Sequence, residues 1–256
     1  MSQIHGIHAV RALLEGVLRQ RAVPGNDAER VRALYVQRGR RDQRIGTLMD
    51  LAREAGIRIE VVDKRWLDRR TGGSHQGVAV DSHELALADE SALETRLASL
   101  RKAPLLLVLD GITDPRNLGA CLRSANAAGA DAVLLPKRHS APLNAAALKT
   151  AAGGAESLLL IEVTNLARTL AWLKDRGIWI IGAAGAGEHL WSAVDLTVGC
   201  ALVVGSEDRG LRALTAKSCD RLVQIPMFGE VSSLNVSVAT GILLFEAVRQ
   251  RALASG

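Results

Sequence analysis

Residues 104–128, with the sequence PLLLVLDGITDPRNLGACLRSANAA, decide the fold. The segment begins with an unbroken apolar run, PLLLVLD, which is typical of a parallel strand buried on both faces. Asp114 and Pro115 suit the N-cap and the first position of a helix, so the small residues that follow are predicted to be helical. A strand that passes through a polar loop into a helix is the repeating unit of an α/β fold.

The same alternation continues to the end of the chain. Further strands are predicted at residues 132–135, 157–161, 178–182, 201–204 and 222–225. Helices are predicted at residues 115–128, 145–151, 166–176 and 236–253. Strands that alternate with helices indicate an α/β domain whose sheet is mostly parallel and carries helices on both faces.

The first third of the chain has the pattern of a smaller α/β unit. Helices are predicted at residues 9–20, 44–55 and 63–69, and strands at 32–37, 57–62 and 78–80. An acidic, alanine-rich stretch without a predicted strand follows. We therefore expect an N-terminal domain over residues 1–82, a linker over 83–103 and a second domain over 104–256.

Composition and charge narrow the class of protein. The chain has 256 residues, 48% of them hydrophobic, and a net charge of +5. Residues 1–80 hold 15 Lys and Arg against 9 Asp and Glu, and Lys64 is the one lysine among those cations. Such an arginine-rich module favours an anionic polymer as partner, although the same excess is typical of a solvated basic face.

The sequence also argues against several other classes. No apolar run approaches the roughly 18 residues of a membrane span, and no secretory signal is visible at the start. Three cysteines without a CxxC pair suit buried thiols in a reducing compartment, so we expect a cytoplasmic protein. The six histidines are scattered, and a metal site is not expected.

Three polar, glycine-bearing loops each follow an apolar strand, where ligands collect in open α/β sheets. The first loop leads into the helix that carries Asn117 and Arg123. Arg123 stands in a run of small and apolar residues that looks buried, and a charge in such a place needs a partner or a task.

The second loop, GSEDRGL over residues 205–211, fits either a tight turn with a local ion pair or a cofactor loop with Glu207 directed inward. The third runs from Ile225 to the cluster SSLNVS over residues 232–237. Its serines and asparagine are natural helix caps, and the helix start that they cap also favours negative charge. A fourth glycine-rich stretch, GAAGAG over residues 182–187, lacks dinucleotide-binding spacing and is set aside.

Together, the three loops resemble the motifs of the SpoU branch of the SPOUT RNA methyltransferases. The matching segments are NLGA over residues 117–120 with Arg123, then residues 205–211, then IPM over 225–227 with SLNVS over 233–237. The resemblance extends to residues 6–14 and to the HQG stretch over residues 75–77 of the first third. Within the branch it is nearest to the enzymes that methylate a guanosine 2'-oxygen in 23S ribosomal RNA.

That resemblance implies an L30-like N-terminal domain that binds RNA, joined to a catalytic domain with a deep trefoil knot. It implies S-adenosylmethionine as methyl donor, 23S ribosomal RNA as substrate, a homodimer, and no required metal. The family's donor pocket corresponds to Gly205, Ile225 and Leu234. Its catalytic set corresponds to Asn117, Arg123, Glu207, Ser233 and Asn235.

Two other functions stay open from the sequence. One is a transfer-RNA ribose methyltransferase of the same branch, which the separate basic N-terminal module disfavours. The other is a catalytically silent RNA-binding protein, which the presence of Arg123, Glu207 and Asn235 disfavours.

Overall fold

A computed structural model describes residues 2–21, 31–40, 42–72, 75–82 and 87–254. Residues 83–86 of the predicted linker therefore lie outside the described part. The chain forms two compact units. Unit 1 comprises the residues up to 86 together with 152–157, and unit 2 comprises residues 87–151 and 158–256.

Unit 1 is built on a four-stranded sheet in the order β1-β4-β2-β3. β4 pairs antiparallel with β1 and β2, whereas β2 and β3 are parallel. Its elements are β1 (Ser2–His5), α1 (Ile7–Arg21), β2 (Val31–Gln37), α2 (Gln43–Glu54), β3 (Arg58–Val62), α3 (Lys64–Thr71) and β4 (Val78–Ser82).

The two faces of this sheet have separate cores. Leu34 and Val36 of β2 point into a large cluster with α1 and α2. Tyr35, between them in sequence, belongs to a smaller cluster with Leu67 of α3. This alternation follows from the two-residue period of a strand, and it places α2 and α3 on opposite faces.

Unit 2 contains a seven-stranded sheet in the order β7-β6-β5-β10-β8-β11-β9, and every pairing between these strands is parallel. Its strands are β5 (Leu105–Asp110), β6 (Ala132–Pro136), β7 (Leu160–Val163), β8 (Trp179–Ala183), β9 (His189–Leu190), β10 (Cys200–Gly205) and β11 (Arg221–Gln224). Its helices are α4 (Glu90–Ser99), α5 (Pro115–Ala127), α6 (Ala145–Ala151), α7 (Leu166–Lys174), α8 (Ala213–Ser218) and α9 (Val236–Ala254).

Helices cover both faces of the large sheet. Leu93 of α4 and Leu170 of α7 share a core cluster with alternate residues of β5 and β10. On the other face α5 packs against α6 and α9, and α9 contacts β10. Every residue of β5 and β10 is buried, as a strand covered on both sides requires. The predicted α/β class with a mostly parallel sheet is confirmed.

The local predictions fail in four places. The strand predicted at residues 157–161 instead runs from Leu160 to Val163, after a short 3-10 turn at Ala155–Ser157. Three short elements, β1, β9 and α8, have too few residues to show a periodicity and were not predicted. The trefoil knot and the L30-like character of the first unit stay implications of the family resemblance.

Candidate active site

The carboxyl ends of β5, β10, β8 and β11 are neighbours in the large sheet, so the loops that follow them meet at one edge. The loops after β8, β10 and β11 and the start of α9 enclose a cavity of about 550 Å³. It is lined by residues 183–185, 204–207, 209–210, 223–227, 232–234, 236 and 239. Cavities of roughly 300–1,000 Å³ suit small-molecule ligands.

The loop after β10 is a closed turn that delivers Glu207 to this cavity. The Ser206 N–H donates to the Gly210 carbonyl at 3.1 Å, and the Gly210 N–H donates back at 2.8 Å. Gly205 stands so close to Gly210 that a Cβ atom there would collide with the Gly210 backbone. Gly210 has a φ of +63°, the left-handed region that favours glycine. Both glycines are therefore required by the shape of the turn.

A chain of three side chains runs beside the cavity and joins three loops. The Asn235 Nδ2 donates to the Asn117 Oδ1 at 3.0 Å, and the Asn117 Nδ2 donates to the Glu207 Oε1. The Asn235 Oδ1 accepts from the Ser237 N–H at 2.9 Å, which fixes the direction of its amide. Each amide therefore presents N–H groups toward the next acceptor, and the chain ends on the Glu207 carboxylate.

An ion pair between a buried carboxylate and a partly exposed arginine connects the first two loops. Asp110, the last residue of β5, accepts from the Arg212 backbone N–H at 3.0 Å and from its Nε at 2.6 Å. Asp110 is almost fully buried, so the pairing compensates a charge that would otherwise be costly. Because Arg212 follows the turn that carries Glu207, this pair ties that turn to the end of β5.

The structure brings most of the predicted site residues together. Gly205, Glu207, Ile225, Ser233 and Leu234 all line the cavity. The other two members of the hydrogen-bonded chain adjoin it through Glu207. The roles of these residues stay predictions, but their proximity is a property of the fold.

Arg123 is the exception. Its side chain is exposed on α5 and is not among the cavity-lining residues. The expectation that it stands in a buried run is wrong, because Leu118, Cys121, Leu122 and Ala125 form the buried face and Arg123 lies outside it. Alanines made the run look buried, yet alanine is equally favourable on an exposed helix face. Within the described residues, Arg123 has no ion-pair or hydrogen-bond partner.

Sequence reasoning missed the loop after β8, because it considered this stretch only as a dinucleotide motif. Ala183, Ala184 and Gly185 line the cavity. At Gly187 a Cβ atom would lie 2.5 Å from the Val223 carbonyl carbon, so glycine allows this loop to approach β11 closely. The position of this loop could have identified it as part of the site, because it follows an apolar strand, as the other three loops do.

None of the three cysteines lines the cavity. Burial raises the pKa of Cys121, Cys200 and Cys219 to about 11 in each case. Cys121 and Cys200 are buried as expected, whereas Cys219 is only partly covered. Across the described residues, no three His, Cys, Asp or Glu side chains are grouped to hold a metal ion. Every helix in the described ranges is too short or too polar to span a bilayer.

In comparisons with known proteins, both parts of the chain match the model of a known family. Residues 104–245 match the model of the SpoU rRNA Methylase family, and residues 3–86 match the model for RNA 2'-O ribose methyltransferase substrate binding. The 23S rRNA (guanosine-2'-O-)-methyltransferase RlmB of Photorhabdus laumondii is 50% identical over 97% of this chain and 98% of its own. The Escherichia coli K12 protein of the same name is 49% identical, again over 97% of this chain and 98% of its own.

Solved structures agree. The SpoU methyltransferase AviRb from Streptomyces viridochromogenes, in complex with AdoMet, superposes with a TM-score of 0.75 at 25% identity. That match covers 99% of this chain and 91% of AviRb. The A. aeolicus TrmH/SpoU tRNA modifying enzyme superposes with a TM-score of 0.55 at 30% identity, and the match covers 65% of this chain and 85% of that enzyme. By its sequence over nearly the whole length and by its fold, the chain belongs to the SpoU rRNA methylase family.

Proposed function

We propose that this protein transfers a methyl group from S-adenosylmethionine to the 2'-oxygen of a guanosine in 23S ribosomal RNA. The observation that carries the reaction type is the cavity with the chain of Asn235, Asn117 and Glu207 directly beside it. The choice of substrate rests on relatives that are about half identical over nearly their whole length and bear that activity in their names.

The cavity fits the proposed donor in size and in chemistry. Its wall is part apolar, with Ile225 and Leu234, and part backbone, around Gly205. Apolar walls suit an adenine ring, and backbone N–H and C=O groups at the ends of strands suit its edge and the methionine part. When bound there, S-adenosylmethionine supplies an electrophilic methyl group on a positively charged sulfur.

The residues beside the cavity act on the less reactive of the two substrates, a ribose hydroxyl that is poorly ionised near neutral pH. Glu207 and the two asparagines orient the ribose by hydrogen bonds, which reduces the cost of aligning the reacting atoms. Ser233 lines the same cavity and adds a hydroxyl that both donates and accepts. This part of the reaction is positioning and needs no metal.

Arg123 is proposed to act on the 2'-oxygen as a permanent positive charge. An arginine is not expected to lose its proton in a protein, so it serves poorly as a base. It stabilises a developing alkoxide, or it holds the phosphate beside the target ribose. Because the exposed guanidinium has no partner among the described residues, it is free to meet such an anion.

We also propose a homodimer in which the outer face of α9 is covered. Val238 and Phe245, seven residues apart on one side of that helix, are 49% and 50% exposed. Phe228 and Val231, which precede α9, are exposed as well. Large apolar side chains that share one face mark an interaction surface. We propose a cytoplasmic location, because the proposed substrate is ribosomal RNA.

Two rival functions are separated by one assay. Radiolabelled methyl transfer from S-adenosylmethionine is measured with purified 23S ribosomal RNA and with purified transfer RNA from the same cells. We expect label in 23S RNA, on a guanosine 2'-oxygen when the modified position is mapped. Label in transfer RNA alone supports the transfer-RNA enzyme, and binding of both RNAs without transfer supports a silent binding protein.

The share of this chain that each relative covers also argues against the transfer-RNA alternative. The tRNA modifying enzyme named above covers 65% of this chain, whereas the ribosomal RNA relatives cover 97%. We therefore base the proposed substrate on the relatives that match nearly the whole chain.

A further inference from the structure

A second cavity, of about 470 Å³, lies within unit 1. It forms where β2 and β3 end and β4 begins, far along the sequence from the donor loops. Its walls are Gln37, Arg40, Lys64, Asp68 and residues 75–77. Nothing in the proposed methyl-transfer chemistry uses these residues.

The turn before β4 is held in an unusual conformation at this cavity. Gln76 has a φ of +52°, in the left-handed region that residues other than glycine rarely adopt. The turn is fixed by hydrogen bonds from the Ile7 N–H to the Gln76 Oε1 at 2.9 Å and from the Gln37 N–H to the Gly77 carbonyl at 2.9 Å. Strained backbone that the surroundings hold in place often marks a functional site.

His75 fixes the position of Asp68, the one acidic residue among those that line the cavity. It is 5% exposed, and its Nδ1 accepts from the Gly77 N–H at 2.9 Å. The proton of the neutral ring is therefore on Nε2, which donates to the Asp68 Oδ1 at 3.0 Å. One oxygen of the carboxylate is therefore occupied by the histidine, while the carboxylate keeps its charge.

The two cations are left available. The Arg40 Nε donates to the Asp42 Oδ2 at 3.0 Å, which fixes the guanidinium while its outer nitrogens stay uncommitted among the described residues. This side chain passes over Gly77, where a Cβ atom would lie 2.7 Å from one Nη. Lys64 is exposed and has no acidic partner in the described part of the chain. The side-chain amides of Gln37 and Gln76 add further donors at the wall.

The lining carries two cations against one carboxylate, which already accepts from His75. Donors with a positive charge therefore predominate, and they match a ligand that offers only acceptors and a negative charge. We propose that this cavity binds a phosphate of the RNA backbone, with Arg40 and Lys64 as its charged contacts. This inference rests on the proposed RNA substrate and names the part of unit 1 that holds it. Such contacts set the position of the RNA without reading its bases.

The test compares RNA binding by three single variants of the full chain, Arg40→Ala, Lys64→Ala and Arg53→Ala. The probe is 23S ribosomal RNA transcribed in vitro, and its affinity is measured across a series of salt concentrations. Arg53 is the matched control, because it is an exposed arginine on α2, on the opposite face of the sheet from α3. Donor affinity and melting temperature are recorded on the same preparations.

We expect Arg40→Ala and Lys64→Ala each to weaken RNA binding about tenfold, the ratio that corresponds to one net charge-assisted hydrogen bond. Each is also expected to lower the slope of log affinity against log salt by about one, whereas Arg53→Ala leaves it unchanged. Gly77→Ala, which displaces Arg40 without deleting its charge, should resemble Arg40→Ala.

Affinities and slopes of Arg40→Ala and Lys64→Ala that equal those of Arg53→Ala overturn the proposal. So does a wild-type protein that does not bind the RNA. If the variants lose affinity as expected while the wild type transfers no methyl group to 23S RNA, the proposed function fails and the phosphate site stands.

Discussion

Asn235 and Asn117, 118 residues apart in the sequence, are joined by a hydrogen bond of 3.0 Å. The bond links the residue before α9 to the first turn of α5. Asn117 in turn donates from its Nδ2 to the Glu207 Oε1. Because Ser237 fixes the Asn235 amide, the direction of every donor in the chain is set before any ligand arrives. Such preorganisation is what a site needs to hold a neutral hydroxyl in line with a methyl donor.

Breaking this chain should impair turnover more than donor binding. Asn117→Ala removes both of its hydrogen bonds, and we expect methyl transfer to fall about 10- to 100-fold, as for one or two lost hydrogen bonds. Donor affinity, measured by calorimetry, should change little because Asn117 does not line the cavity. Asn165→Ala is the control: it removes the N-cap of α7, so it should lower stability without this loss of turnover. Equal turnover in the two variants contradicts the role of Asn117.

Arg123→Ala should abolish methyl transfer and leave both folding and donor binding intact. The exposed guanidinium makes no contact in the described structure that folding depends on, so the melting temperature should stay within about 1–2 °C of the wild type. Arg123→Lys should fail too, since an ammonium does not replace the planar fork. Arg168→Ala, an exposed arginine of α7, serves as the control. Full turnover by Arg123→Ala would refute the catalytic role.

Gly205→Ala tests the turn that carries Glu207. An added Cβ atom collides with the backbone of Gly210, so the turn must open. We expect donor affinity to fall at least about tenfold, with a loss of stability of about 1–3 kcal/mol from overpacking. Gly229→Ala meets no atom within 4 Å and should behave as the wild type in both measurements. Unchanged calorimetry for Gly205→Ala would show that the cavity tolerates a different turn.

The thiols should resist alkylation while the protein is folded. With pKa values raised to about 11 by burial, only about one thiol in a thousand is ionised at pH 8. The unfolded chain, with thiol pKa values near 9.0, ionises first as pH rises, so this contribution to stability is complete below pH 9 and is lost toward pH 11. Mass spectrometry after iodoacetamide treatment should find label only in denaturant. Rapid labelling of native Cys121 or Cys200 argues against their burial.

Phe245→Glu should convert the proposed dimer to a monomer. A carboxylate at the centre of the apolar face of α9 meets its own copy across a two-fold interface, where desolvation and repulsion both oppose association. Sedimentation velocity reports the mass directly. Leu214→Glu places the same charge on an exposed residue of α8 and should leave the mass unchanged. A wild-type protein that sediments as a monomer ends the dimer proposal.

The large sheet was predictable because its central strands consist almost entirely of apolar residues. Residues 105–109 are apolar without interruption, and the strand Leu105–Asp110 contains all of them in the structure. Asp114 and Pro115 start α5 where their capping chemistry predicts. The two-residue β9 and the six-residue α8, which has no side-chain cap, carry no comparable local signal. Their positions depend on tertiary contacts that a single sequence does not display.

The candidate site was predictable to the extent that its loops follow strands. Glu207 and Asn235 stand in polar clusters at strand and helix ends, and the family resemblance assigns them to the catalytic set. The structure brings both into one hydrogen-bonded chain. The lining role of Ala183 and Ala184 was not foreseen, because alanine contributes shape and backbone but no distinctive chemistry. The exposure of Arg123 was misjudged for the related reason that alanine does not report burial.

The membership of residues 152–157 in unit 1 has a consequence for how the protein is made. A ribosome releases the chain from its N-terminus, and domains generally fold in that order. Unit 1, however, is complete only with a segment that follows α6, after β5 and β6 of unit 2 have already emerged. The two cores of unit 1 consist of residues between 4 and 80, so they can form as those residues emerge, whereas the last segment of the unit joins them only after residue 157 has been made.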